Sequence, residues 1–449
     1  MSVLTRLRHL LGMDRAVSYS LALRVWNGLA MPVTLLLIAR HLSLIEQGFY
    51  YSFAGVQGLA VLGELGITFV VSQFAAHEYA AMSLGTNRDA EKRRKHAARL
   101  ASILKLGLMW NTATFLLCLV LLIPGGIWFF AGAKDAQGVQ WLLPWICFAL
   151  FGSLGIILSP VYAVLNGVGH MGDTTLIQFI QTAISTLATW SLLLCGYKLF
   201  AVVAIPMMAV IGGTAGILIM HRKTLQTILA GGNQLIKVNY WGEMFPLQSK
   251  VALSWLASYV GFYFATPLIF RTLSPQIAGQ YGMTTSLLLS ISATAGIWVT
   301  TKGPALAHLA AVHEIPLMRR TFISASAKSF AVLFAGYLTV IVCPNIAVLK
   351  SHLTFLSRLL SGSVLLTLIG AYTLVHLYGI LNSFLRSFKD DPLFWLSISS
   401  ALITVLALRG TARHYGVEGV AWLMVVCNAI CCIIAIRYYL MPVGVKIKI

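Results

Sequence analysis

Apolar residues run through this chain in long stretches, broken at intervals by short polar or basic segments. The stretches are too long for the core helices of a water-soluble fold. A helix that crosses a bilayer needs roughly 20 mostly apolar residues. Runs of that length fall near 17–39, 49–76, 99–123, 139–165, 173–195 and 199–220, then near 245–270, 279–301, 322–343, 362–384, 392–409 and 417–441. The pattern predicts an all-α polytopic membrane protein of twelve transmembrane helices, spans 1 to 12. Spans 5 and 6 are joined so tightly that they read as a helical hairpin.

An internal repeat divides the twelve spans into two sets of six. Residues 37–50 read LIARHLSLIEQGFY and residues 268–281 read LIFRTLSPQIAGQY. Seven of the fourteen positions are identical, among them Arg40/Arg271, Ser43/Ser274, Gly48/Gly279 and Tyr50/Tyr281. Each copy lies where the first helix of a set turns into the second. Ser43 with Glu46 forms a capping-box pattern for the amides that open span 2, and Ser274 is followed by Pro275, the favoured residue at a first helical position. A second echo pairs Tyr162 and Asn166, ending span 4, with Tyr378 and Asn382, ending span 10. Six spans return the chain to its starting side, so the repeats are parallel and related by an axis along the membrane normal. The expected domains are a six-helix lobe at 1–222, a cytoplasmic linker at 223–244 and a second six-helix lobe at 245–449. Two such bundles around a central site form an alternating-access transporter.

Composition narrows the classes further. Of 449 residues, 58% are hydrophobic and only 10% are charged, against about 25% charged in soluble domains, which excludes a large soluble enzyme. Lys and Arg number 32 against 13 Asp and Glu, for a net charge of +19. They divide 20 to eight between the two sides of the twelve-span topology, with four inside spans. The positive-inside rule then places both termini in the cytoplasm. The run Lys92-Arg93-Arg94-Lys95 is a topology signal on this reading, and nucleic acid is not expected as a partner. The seven cysteines show no CxxC or zinc spacing; small core residues, no disulfides and no metal site are expected. Arg6, Arg8 and Arg15 precede an uninterrupted span without a cleavage site. No Walker or GxGxxG pattern occurs in its strand context, and no cofactor is expected.

Few residues inside the spans carry chemistry. Glu64 is the only carboxylate deep in a span, roughly 20 Å from either end of span 2 at 1.5 Å per residue, too deep to reach water. Gln57, Glu64, Thr68 and Ser72 give span 2 one polar stripe, and Ser20, Arg24, Asn27 and Thr34 give span 1 another. Two readings of Glu64 stand: a coupling or gating group, or one half of a buried ion pair with Arg24 that holds spans 1 and 2 together. Arg24, Lys105 and Lys328 lie about 10 Å inside spans 1, 3 and 9. They would either line a cationic cavity for an anionic cargo such as a diphosphate or snorkel to headgroups. Asn27 is a secondary candidate. Arg40 and Arg271 are expected as outer-interface anchors, with a role in release or gating as the alternative, and Arg437 as a snorkelling anchor. Gln178, Thr182, Ser185 and Thr189 share one face of span 5, as residues that glue helices do. His376 is expected as a satisfied core histidine.

Four segments carry a family resemblance: Pro32 with LIARHLS at 37–43, EQGFYY at 46–51, GELGI at 63–67 and QFAAHE at 73–78. With the twelve-span layout, they make the sequence similar to the polysaccharide flippases of the MOP superfamily, the Wzx-type O-antigen translocases. The resemblance implies a bacterial inner-membrane protein that moves an undecaprenyl-diphosphate-linked oligosaccharide to the periplasmic leaflet. The family's cationic cavity would fall to Arg24, Lys105 and Lys328. Partners would be the lipid-linked cargo, membrane lipids and polysaccharide polymerase or ligase machinery, and the protein itself a monomer. The main competing reading is a multidrug exporter of the same superfamily, although cations outnumber acids four to one within the spans. A membrane-bound glycan ligase or acyltransferase would need a large external loop with paired catalytic groups. Segments 124–138 and 344–361 supply only Asp135, His352 and scattered cations.

Overall fold

The computed structural model describes residues 15–84, 90–133, 138–230, 238–249, 251–252, 264–343, 354–388 and 392–440. Among the described residues the regular elements are helices: α1 (Arg15–His41), α2 (Leu44–Gln57), α3 (Ala60–Glu64), α4 (Ile67–Leu84), α5 (Ala90–Leu117), α6 (Ile123–Ala131), α7 (Leu142–Ile156), α8 (Ser159–Gly167), α9 (Met171–Leu194) and α10 (Phe200–Ala230) come first. There follow α11 (Ala265–Thr272), α12 (Pro275–Thr300), α13 (Gly303–Ala311), α14 (Ile315–Val342), α15 (Gly362–Arg386) and α16 (Phe394–Leu440). Nine described helical stretches are long and apolar enough to cross a membrane. The last is two spans in one, kinked at Gly416, whose φ of 64° an L side chain rarely adopts. Span 2 is present but broken into α2, α3 and α4. Span 7 is represented by α11, its earlier part lying mostly outside the described residues. Among the described residues this is the all-α architecture of a multi-pass membrane protein, consistent with twelve spans.

Several elements exceed the apolar runs. Helix α5 starts at Ala90, well before the run at 99–123, and carries the exposed Arg93, Arg94 and Lys95 on its first turns. It continues through a π turn at Cys118–Leu122 into α6, so much of the segment expected as an external loop at 124–138 is helical. Helix α10 likewise extends to Ala230, ten residues past its apolar run. Arg and Lys have good helix propensity, and a helix does not stop where its hydrophobicity does. The cysteines are free; Cys118, Cys427, Cys431 and Cys432 are buried, whereas Cys195, in the turn after α9, is exposed. Asp135 and His352 lie outside the described residues.

The described residues group into two compact units. The first falls within Met1–Ala30, Val56–Gly132 and Gly138–Leu256, the second within Met31–Gly55, Ala133–Gln137 and Ala257–Ile449. Against the expected lobes, 31–55 sits with the second unit and 223–244 with the first. The change of unit in α1 falls beside Pro32, which removes a backbone donor inside that helix. In the first unit Ile67, Val70, Val71, Ile103, Leu104 and Val164 form a core that also buries Met244 of the linker. Glu243 in the same turn is held by Arg99, whose Nη2 donates to Oε2 at 2.6 Å, while Arg99 Nε donates to Glu78 Oε1 at 2.7 Å. The second unit buries Met318, Phe322, Leu381, Phe384 and Leu393 together, with Phe322 and Phe384 rings 4.7 Å apart.

The repeat pair meets itself inside the second unit. Ser43 and Glu46 close the expected capping box: Ser43 N–H donates to Glu46 Oε2 at 2.8 Å, and Glu46 N–H donates to Ser43 Oγ at 3.1 Å. In the other copy Ile277 N–H donates to Ser274 Oγ at 3.2 Å, with Pro275 in the first turn. The two capped starts then pack backbone to backbone. Gln47 Nε2 donates to the Gly279 carbonyl at 2.8 Å. A Cβ on Gly48 would stand 2.0 Å from the Pro275 carbonyl oxygen, and one on Gly279 2.8 Å from Gly48 N. No flexible side chain yields there, so the clash falls on rigid backbone. Gly48→Ala and Gly279→Ala are each expected to lower the stability of the detergent-purified protein by about 1–3 kcal/mol, read as a lower midpoint of thermal unfolding; an unchanged midpoint in both would refute the close approach.

Candidate functional site

The residues singled out in the spans fall in both units. On the first, Arg24 and Asn27 are exposed on α1, and Lys105 is half-buried on α5. Glu64 is buried at the end of α3. On the second, Arg40 and Arg271 are exposed in the last turns of α1 and α11, where a cation complements the helix dipole. Lys328 is exposed on α14 and Arg437 on α16.

Lys328 lies in a basic groove. The space, of about 410 Å³, is lined by Trp298 and Lys302 at the end of α12 and by Leu317, Arg320, Thr321, Ser324, Ala325 and Lys328 of α14. Leu317, Thr321, Ser324 and Lys328 follow i, i+4, i+7, i+11, one helical face. Lys328 Nζ stands 5.7 Å from the centre of the Trp298 ring, within cation–π reach. Three cations thus share a groove whose lining contains no carboxylate. Two of them, Lys302 and Arg320, read in the sequence only as loop charges. The missed signal was the spacing of Arg320 to Lys328, eight residues, which keeps the two on one side of α14, with Lys302 in the turn just past the end of α12.

Span 2 is not the continuous helix its apolar run predicts, and Glu64 sits at the break. Leu65 and Gly66 both adopt positive φ, 48° and 70°, and the helix restarts at Ile67. A break at membrane depth frees backbone groups that lipid cannot satisfy. Here α5 supplies the missing donors: Trp110 Nε1 donates to the Gly63 carbonyl at 3.0 Å and Thr114 Oγ1 donates to it at 2.9 Å. The Glu64 carboxylate accepts from the Thr68 hydroxyl one turn on. The expected Arg24–Glu64 pair is not formed, and among the described residues no cation lies within ion-pair distance of Glu64. The break redirects the chain at Leu65, so the straight-helix register that put Glu64 opposite Arg24 does not hold. Gln57 of the same stripe reaches Ser153 Oγ of α7 at 3.4 Å.

Two other readings resolve. His376 is a satisfied core histidine, with Nδ1 2.9 Å from Ser292 Oγ and Nε2 2.8 Å from Ser329 Oγ. The glue between α9 and α10 comes from Gln181 and Ser185, which donate to the carbonyls of Ala209 at 2.5 Å and Ile205 at 3.3 Å. Thr182 and Thr189 instead bond to their own helix, and Gln178 is exposed.

No protein-family model matches the chain, and no curated protein does. Solved structures do. An inward-facing multidrug resistance MATE family transporter of the MOP superfamily superposes with a TM-score of 0.62 at 14% identity, over 91% of this chain and 97% of that one. The MATE multidrug transporter DinF-BH in complex with R6G gives 0.54 at 13% identity, over 93% and 94%. A mutant of the Vibrio cholerae MATE transporter VcmN gives 0.53 at 16% identity, over 95% and 97%. The chain therefore has the fold of the MATE transporters over nearly its whole length.

The doubly bonded Gly63 carbonyl is testable. Thr114→Val and Trp110→Phe should each cost about 1 kcal/mol, and the double variant more than their sum, because it leaves the carbonyl without either donor. Thermal unfolding in detergent checks this; strict additivity would show that the two donors do not share one acceptor.

Proposed function

We propose that this protein moves an anionic lipid-linked oligosaccharide, with undecaprenyl diphosphate as the carrier, across the bacterial inner membrane by alternating access. The observation that carries the reading is the groove of Lys302, Arg320 and Lys328 with no carboxylate in its lining. A diphosphate in this groove would be met by guanidinium and ammonium donors, which bind it through charge-assisted hydrogen bonds. Trp298 offers an apolar ring against which a sugar or isoprenyl face can lie. The motif resemblance to Wzx-type translocases supports this cargo, and the MATE fold supports a transporter without choosing its cargo. Arg24 and Lys105, on the first unit, are proposed as further cationic candidates, and Asn27 is a polar neighbour of Arg24 on α1. Both termini in the cytoplasm, a cytoplasmic entry for the cargo and action as a monomer complete the reading, with polymerase and ligase machinery consuming the flipped product.

Glu64 is proposed as the coupling group. It is a buried carboxylate at a helix break, paired with a hydroxyl and no described cation, the setting in which intramembrane acids bind and release protons or small cations. A second reading, ion-coupled multidrug export, is favoured by the multidrug transporters that share this fold and by this same acid. Cells lacking the protein separate the two: accumulation of inward-facing lipid-linked oligosaccharide is expected, whereas normal surface glycan with drug hypersensitivity would select the exporter.

Two outcomes follow in proteoliposomes carrying a fluorescent diphosphate-linked lipid. The Lys302→Ala, Arg320→Ala, Lys328→Ala triple variant should flip at least about tenfold more slowly, since each lost charged hydrogen bond is worth roughly 1.5–3 kcal/mol; the Arg24→Ala, Lys105→Ala, Lys328→Ala combination should behave likewise. Wild-type rates in both would remove the cationic site. Separately, Glu64→Gln should retain the wild-type melting midpoint while its flipping loses all response to an imposed ion gradient. A retained response would leave Glu64 a structural group.

A further inference from the structure

The hairpin of α9 and α10 is closed at one end by the turn at 195–199 and open at the other. At the open end three side chains converge. His170 precedes α9 and contributes no side-chain cap; its Nδ1 lies 3.4 Å from Asp173 Oδ2 in the first turn. His221 of α10 approaches from across the hairpin, with Nε2 3.5 Å from the same oxygen. The two imidazole rings are 4.7 Å apart between centres, and one ligand atom from each of the three residues falls within 4.8 Å of the others. His221 is the unexplained member. It is only 3% exposed, and neither of its ring nitrogens makes a hydrogen bond. A buried imidazole without hydrogen-bond partners costs free energy, so something besides packing accounts for its position.

We infer that His170, Asp173 and His221 form a divalent transition-metal site, with Zn²⁺ as the fitting ion. Zinc bonds of about 2.0–2.2 Å arranged tetrahedrally put neighbouring ligand atoms about 3.3–3.6 Å apart. The two His–Asp separations lie in that interval, and the two imidazole nitrogens, no more than 4.8 Å apart, would draw in around the ion. Two imidazoles and one carboxylate are a borderline nitrogen and oxygen set that suits zinc, whereas calcium and magnesium take oxygen ligands. His170 and Asp173 are about one-third exposed on their side chains, so water reaches the fourth position. The ion satisfies the buried His221 and joins the open ends of α9 and α10. Helix α10 runs on past His221 to Ala230, so the metal anchors the helix that leads into the linker at 223–244.

The test uses the full-length protein in detergent, tag removed and stripped with a chelator, then titrated with Zn²⁺ and, separately, Co²⁺. One equivalent of Zn²⁺ is expected to bind and raise the melting temperature in proportion to the logarithm of free zinc, and Co²⁺ should give the visible bands of a four-coordinate site. Losing a mere supporting partner of a metal ligand costs 10–100-fold in affinity, so His170→Ala and Asp173→Asn should each weaken binding by at least about tenfold and abolish the cobalt bands. His221→Ala should do the same; because it empties a buried position, the two more exposed variants keep the inference falsifiable if that variant does not fold. Stoichiometric binding unchanged in both His170→Ala and Asp173→Asn, or no saturable binding at all, would overturn the site and leave a His–Asp–His contact that only fastens the hairpin.

Discussion

The close approach of Gly48 and Gly279 is the constraint on which the second unit's architecture rests. Two helix starts with the same sequence pattern meet there with no side chain between them, and each is capped before it arrives. Capping matters to the contact because the free amides of a helix start would otherwise need water, which a backbone-to-backbone junction excludes. Gln47 then spends its amide on the Gly279 carbonyl, and Phe49 lies edge-on to Phe270 at 4.9 Å, sealing the junction with apolar surface. The repeat is thus more than a record of duplication. Of its identical residues, Ser43 and Ser274 cap the two helix starts, and Gly48 and Gly279 let them lie against each other. The non-identical Gln47 and Phe49 complete the contact from one side.

A second constraint is specific to lipid. Backbone polar groups in a bilayer need partners inside the protein, so a helix breaks only where a neighbour stands ready. Span 2 breaks at Leu65, and α5 provides an indole and a hydroxyl for the Gly63 carbonyl it frees. The break has a consequence for charge. Glu64 becomes the last residue of a short helix, where its carboxylate accepts from the Thr68 hydroxyl beyond the break. Among the described residues it has no arginine partner, so the ion pair that would tie spans 1 and 2 together is not formed.

Much of this was legible along the chain because it depends on neighbours in sequence. Apolar runs give the spans, and Ser43 with Glu46 gives a cap three residues long. The His376 reading followed from burial alone, since a buried imidazole finds donors wherever hydroxyls such as those of Ser292 and Ser329 are packed against it. What was not legible depends on residues far apart. Lys302 and Arg320 looked like topology charges because their count, not their placement, was visible. The break at Leu65 was hidden because glycines occur throughout apolar helices and only the position of α5 shows that one of them can be bridged. His170, Asp173 and His221 lie up to 51 residues apart and share no ligand spacing, so a scan for metal patterns passes over them. The hairpin that brings them together was itself predicted, but its rotational register was not.

The basic groove shows why the positive-inside rule and cargo recognition cannot be separated by counting. Lys and Arg at the inner ends of helices resist translocation during insertion, and the same side chains remain there once the fold is complete. Most end exposed and solvated, as Arg93, Arg94 and Lys95 do, where screening leaves each nearly independent of the others. Lys302, Arg320 and Lys328 are exposed too, but they line one groove beside an aromatic ring. Like charges held together in a partly enclosed space repel one another, and an anion that enters relieves all of these repulsions at once while forming its own bonds. On the proposed function, such a groove would favour a doubly charged diphosphate over a singly charged anion, with a preference that weakens as salt rises. The same repulsion would act against a cationic cargo.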